Sequence, residues 1–394
     1  MASPFTSPRA ILAAFSRLPA ALFNGIDEIV RLDSLGRLPA IDGSQLLNIG
    51  GTVAAPTFGV GGTYATAYAA IADGQYNIRC IGDAVETQDI IITQTANIEI
   101  EPGAEWNLGA SRIAFGASNI DLIIKGSAPL AGVIKWAPTI SGSMINGNGY
   151  TGVQAAIADV KIDQSAAVAA CPIMAADITG AMLFSGSVEI LLPNNQGCGI
   201  QAGASQKVHS TGIITLKRVG SGTNCFNVLS GAANISLLVL DGDFKAGSVT
   251  AAIGAGIVRQ LICKSTGNDF SINLSGSLAG ASVAGGGLNI NITGNGASLN
   301  QCALSGGSLA AGGYSYLSFL SVTSAGSLDM SSALCGNVTV DNCRFDGSIT
   351  IGGNDNRIVS SAFFGGYTNN GQRNARIGVV DAIGGLAITD AGTF

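Results

Sequence analysis

Cleaving a glycosidic bond takes two carboxyl groups flanking it, roughly 5 to 9 Å apart, so acidic residues are weighed first in this 394-residue chain. Asp241 and Asp243 in LVLDGDFK form the best local pair, two apart and so on one face of a strand. Asp341 and Asp346 stand on either side of Cys343, and Glu189 in SVEILLP could lie on an adjacent turn of the chain. Asp-Gly is also a common turn signal, however, and Asp241-Gly242 and Asp346-Gly347 both fit it. Sugar clefts usually carry aromatic platforms, yet between 151 and 313 the aromatic residues are Phe184, Phe226, Phe244 and Phe270, without Trp or Tyr. The turn reading outweighs the catalytic one, and no catalytic residue is assigned.

Other chemistries have less to work with. A Ser-His-Asp system would need His209, the single histidine, and no GxSxG elbow accompanies it. The eight cysteines, at 80, 171, 198, 225, 263, 302, 335 and 343, show no CxxC pair and no zinc-ligand spacing. No GxxxxGK[ST] phosphate loop occurs, and GxG strings carry no weight in a chain with 56 glycines. No cofactor and no metal are expected.

The elements that would position any site are legible from a repeat. NVTVDNCRFDG, from Asn337, is followed by NRIVSSAFFGG, and the two align at an offset of nineteen: Asn337 with Asn356, Cys343 with Ala362, Phe345 with Phe364, Gly347 with Gly366. Upstream, NQCALSGGSL and LSVTSAGSL have the same shape, which places Cys302, Val322, Cys343 and Ala362 in one series. Each unit alternates apolar with polar residues and then turns at glycine, the pattern of a half-buried strand. One such strand cannot bury its inner face alone, whereas stacked copies can. Cys302 and Cys343 fall on the inward position, where cysteine acts as a small hydrophobe.

Composition agrees with a solenoid. Charged residues make up 11% and aromatics 6%, and small and β-branched residues suit narrow stacked coils. The 47% hydrophobic content contains no apolar run near the roughly 20 residues that span a bilayer, so no membrane insertion is expected. A net charge of -6 and a pI near 4.8 argue against nucleic acid as a partner, since phosphate neutralisation needs a basic surface.

Three parts follow. Residues 1–60 form a distinct lead-in, with Ile11, Phe15, Leu18 and Leu22 at helical spacing; Arg17 and Pro19 interrupt its apolar segment, which reads as an amphipathic or anchoring helix rather than a secretion signal. Residues 61–368 are repetitive β, opening with a short helix within Gly62–Gly74 that plugs the stack, then strands at Asn77–Ile81, Asp89–Thr93 and Asn97–Glu101. Residues 369–394 break the pattern and read as a C-terminal cap. Between 110 and 300 strands such as DLIIKG, VEILLP, GIITLKRV and LNINITG are visible without a clear coil boundary for each.

This helix, the "ET" turn and the Ile-rich strands resemble the opening of a pectin-lyase-like right-handed parallel β-helix, and NCRF and SSAFF resemble its late coils. A second resemblance lies in the lead-in. LDSLGRLPAIDGSQLLNIGG is similar to linkers in tailed-bacteriophage fibre and spike proteins, matching at Gly36, Arg37, Leu38, Pro39, Ala40, Asp42, Gly43, Ser44 and Leu46. In physical terms Pro39 stiffens the chain and Asp42-Gly43 supplies a turn. The resemblance implies an all-β right-handed parallel β-helix, a homotrimer, with a short partly helical N-terminal segment. It implies a virion structural protein that meets other phage virion proteins through that segment and adheres to a host surface glycan without evident catalysis. Two alternatives share the architecture, a capsid decoration spike and a polysaccharide-degrading tailspike.

Overall fold

The computed structural model describes residues 55–394 except 131, 148, 169–171, 176–179, 194–198, 203–205, 219–225, 229–231, 243–250, 255, 265–268, 378, 382–387 and 391–394. The expected lead-in helix, with Ile11, Phe15, Leu18 and Leu22, and the linker residues Arg37, Leu38, Pro39, Asp42 and Gly43 lie outside the described residues.

The chain is a β-solenoid. Among the described residues every ladder between strands is parallel, and strands within the stack pair with their counterparts one coil earlier and one coil later. Three faces recur. The first begins at Thr57–Phe58 and Asn77–Cys80, the second at Ala84–Val85 and Glu105–Gly109, and the third at Ile90–Ile92 and Ile113–Phe115.

Strand alternation sends every second side chain inward, and register stacks those side chains into columns. On the second face Ala84, Trp106, Ile134, Ile162, Ile190, Leu216, Leu240 and Cys263 pair in succession. All of them are buried. The third face continues as Ile272, Ile290, Leu309, Leu328, Ile349 and Tyr367. Burying one such aliphatic side chain contributes about 1.5–3 kcal/mol. A solenoid therefore gains stability coil by coil instead of through one central core.

The corners are made by single residues in the left-handed region. Gln301, Ser321, Asn342 and Ser360, with φ from 47 to 53°, turn the first face into the second on four consecutive coils. Tyr316, Asn337, Asp355 and Arg373 (φ 56–61°) do the same before the first face. Most such residues elsewhere are glycine because an L side chain is strained there. Here each corner N–H of the first series bonds a carbonyl of the next coil, at 2.8–3.0 Å, which holds the conformation.

The ladder corrects the repeat offset. Thr339 pairs with Arg357, Arg344 with Ala362 and Phe345 with Phe363, so the last interval is eighteen residues, not nineteen. Cys343 is therefore followed inward by Ser361 rather than Ala362, and Phe363 is buried while Phe364 faces outward. A one-residue slip exchanges the two faces of a strand. The earlier members, Cys302, Val322 and Cys343, do stack as expected.

The parallel ladder also runs past both expected limits of the β region. It starts at Thr57, before residue 61, and the chain divides between Ala55 and Pro56. Beyond 368 the strands Ala375–Ile377, Val380–Asp381 and Ile388–Asp390 continue all three faces where a cap of different structure was expected. At this end the core changes character. Asn356 and Asn374 occupy one buried corner position on successive coils: the Asn374 side-chain oxygen accepts the Asn356 N–H at 2.9 Å, and the Asn356 amide donates to the Cys335 carbonyl at 3.1 Å.

The expected opening helix is α1, Ala67–Ala72. Thr66 caps it, its hydroxyl accepting the Ala69 N–H at 3.1 Å, and Ala67, Ala70 and Ile71 are buried against the first coils. No helix among the described residues is long and apolar enough to cross a membrane.

Candidate functional site

The second face carries a run of charged side chains along successive coils. Its outward columns read Glu105, Val133, Lys161, Glu189, Thr215 and Asn107, Lys135, Asp163, Leu191, Lys217, Asp241, Lys264 along successive coils. Opposite charges thus meet across coils. Lys135 reaches Glu105 at 2.6 Å and Lys161 reaches Glu189 at 3.6 Å. The hydrogen bond that Lys135 donates to Glu105 raises the amine from its ordinary value, against desolvation and with lesser help from the charges of Glu105, Asp163 and Asp83. Surface pairs of this kind contribute about 0.2–1 kcal/mol each.

The sequence candidates divide on this frame. Glu189 and Asp241 do share the second face, but two coils apart, with strand residues 213–218 between them. Asp241 and Gly242 are the last two residues of the strand Ala232–Gly242, paired with Lys217 and Arg218, so the turn expected at Asp241-Gly242 is instead a strand end; the φ of 123° at Gly242 and its closeness to the Arg218 carbonyl leave no room for a Cβ. Asp243 lies outside the described residues. Asp341 faces outward on the first face and Asp346 on the second, so they do not form a pair. His209 is half-buried and outward on the first face, between Leu183 and Asn234 of the adjoining coils.

Sequence reading missed Asp163. It sits outward one coil before Glu189 and two residues out of register, which puts the two Cα atoms about 8 Å apart. Both carboxylates are engaged: Glu189 by Lys161, and Asp163 by the Ser165 N–H at 2.9 Å and hydroxyl at 2.6 Å. The signal lay in the outward positions of GVIKW, VKIDQ and VEILL, visible once those strands are placed in register.

Farther along the same face, Arg344 Nε bonds Asp346 Oδ1 at 2.9 Å, and the guanidinium lies 4.8 Å from the centroid of the Phe364 ring. The residue that the nineteen-residue alignment turned inward is thus the outward platform under an arginine.

The described cysteines point inward. Cys80, Cys263, Cys302, Cys335 and Cys343 are buried, while Cys171, Cys198 and Cys225 lie outside the described residues. Burial pushes Cys302 up to about 12 and Cys343 up to about 11. Among the described residues no group of three or more His, Cys, Asp or Glu could hold a metal ion. No protein-family model, curated protein or solved structure matches the chain.

Proposed function

We propose that this chain is a tailed-bacteriophage virion protein, a fibre or tailspike-like shaft that adheres to the host surface without cleaving it. The observation that carries the reading is the continuity of the ladder: parallel pairing runs from Thr57 to Asp390, coil upon neighbouring coil. Such a body is stiff along its axis and presents long, regular flanks. The phage-like linker at Gly36–Leu46 supplies the link to a virion, with the first 60 residues docking on the particle. The coils are read as right-handed, as parallel crossovers almost always are, and the assembly as a homotrimer.

Cryo-electron microscopy of a particle carrying the chain tests this. Density on the tail, with the solenoid pointing outward, is the expected result; density on the capsid shell would make it a decoration protein instead. Light scattering on the purified protein should give three times the 39.4 kDa chain mass, and a monodisperse monomer would remove the trimer.

A further inference from the structure

Beyond Lys264 the second face loses its long side chains. Ser282, Ala284, Ala303, Ser305, Thr323 and Ala325 fill its two outward columns on three consecutive coils. On the next coil Arg344 follows Thr323 in register, and Asp346 follows Ala325. These small residues leave a shallow, open trough of about 230 Å³, with Ala303, Ser305, Thr323 and Ala325 on its floor and Arg344 and Asp346 at one end.

The end wall is pre-set. Asp346 holds Arg344 through Nε, and Phe364 supports the guanidinium from the coil beyond. The two Nη groups of Arg344 and the second oxygen of Asp346 then stand as a donor and an acceptor beside each other. Vicinal hydroxyls match that arrangement, since each can give one hydrogen bond and take another. A carboxylate ligand would meet the charge of Asp346, and a purely apolar one would offer nothing to the Arg344 Nη groups or the second Asp346 oxygen. The floor offers the Ser305 and Thr323 hydroxyls and, through Ala303 and Ala325, flat methyl surface for the C–H face of a sugar ring.

We infer that this trough binds a neutral saccharide through vicinal hydroxyls, with Arg344 and Asp346 as paired donor and acceptor. The inference rests on the adhesion reading and gives that adhesion a place and a ligand class.

The full chain, its Ala325→Arg variant, which fills the trough, and its Arg344→Gln variant would be tested against immobilised oligosaccharides of glucose, galactose and mannose and against their uronic-acid counterparts. Retention of a neutral oligosaccharide by the wild type, weakened at least tenfold in both variants at unchanged unfolding temperature and mass, is the expected result. Undiminished binding by the variants would overturn the site while leaving adhesion intact. Binding of uronic-acid oligomers alone would overturn the ligand class. A changed mass for Ala325→Arg with unchanged saccharide binding would make the trough a contact between copies. If the wild type retains no saccharide the inference fails, and the adhesion reading fails with it only if the protein also does not bind intact bacterial cells.

Discussion

One carboxylate oxygen of Glu86 accepts the indole N–H of Trp106 at 2.8 Å, and the same oxygen accepts the backbone N–H of Ala67 at 2.8 Å. The other oxygen takes the Tyr68 N–H at 3.3 Å. A buried acid thus ties the start of α1 to the inward column of the second face, where Trp106 is fully buried. Glu86→Ala would leave two buried donors unmet, and a loss on the order of 3 kcal/mol is expected. Hydrogen exchange should show α1 opening well before the later coils, with Glu86→Gln intermediate. Equal protection of α1 in wild type and Glu86→Ala would refute the anchoring role.

Phe363 stacks on Phe345 at 6.0 Å between ring centroids, nearly parallel at 16°, while Phe364 lies under Arg344. Phe363→Ala should cost about 3–5 kcal/mol through the cavity it leaves. Phe364→Ala should cost under about 1 kcal/mol, as an exposed cation–π contact does. Denaturant unfolding of the two variants distinguishes the eighteen-residue register from the nineteen-residue one, which demands the reverse order.

That pair also shows how far the sequence could be read. Strand-and-turn grammar was legible because inward positions are apolar and outward ones small or polar, as in NVTVDNCRF. Register was not, because SSAFFGG doubles its Ser, its Phe and its Gly, so sliding by one residue still sets a Phe against Phe345 and a Gly against Gly347. The corner decides it: the chain takes 21 residues from Ser318 to Thr339 but 18 from Thr339 to Arg357. Farther upstream the interval reaches 33 residues, from Ile123 to Ala156, which is why the coils between 110 and 300 gave visible strands without boundaries. The Asp163 and Glu189 neighbours were hidden for the same reason.

The left-handed corner at Ser360, φ 47°, carries no glycine. Its N–H bonds the Ile377 carbonyl at 2.8 Å, which Ser360→Gly would keep. Removing the Cβ relieves about 1–2 kcal/mol of strain, offset in part by the freedom glycine adds to the unfolded chain. A net gain of about 0.5–1 kcal/mol is expected, read as a higher urea midpoint at unchanged slope. A lower midpoint would mean the corner is not strained.

The buried thiols predict an alkaline limit. Cys80 is pushed up to about 12, chiefly by desolvation, as is Cys302, from an ordinary value of 9.0. Above pH 9 the unfolded chain releases these protons while the folded chain keeps them, so folding stability is complete below pH 9 and falls as pH rises toward 12. Thiol titration should find these sulfurs unreactive at pH 8 until the protein is unfolded. Rapid labelling of Cys302 in the native protein would contradict its inward position.

Thr339, Arg357 and Ala375 follow one another at equal intervals of eighteen residues, and Asn356 and Asn374 close the two coils between them in the same way. An in-frame loss of residues 357–374 would leave Asn356 directly before Ala375, where Asn374 stood, with inner and outer faces still in phase. Gain of a second copy would be equally neutral to the phase. Length in this chain is therefore a trait that a single recombination event can change, and a lineage can adjust how far the protein reaches without redesigning what it is made of.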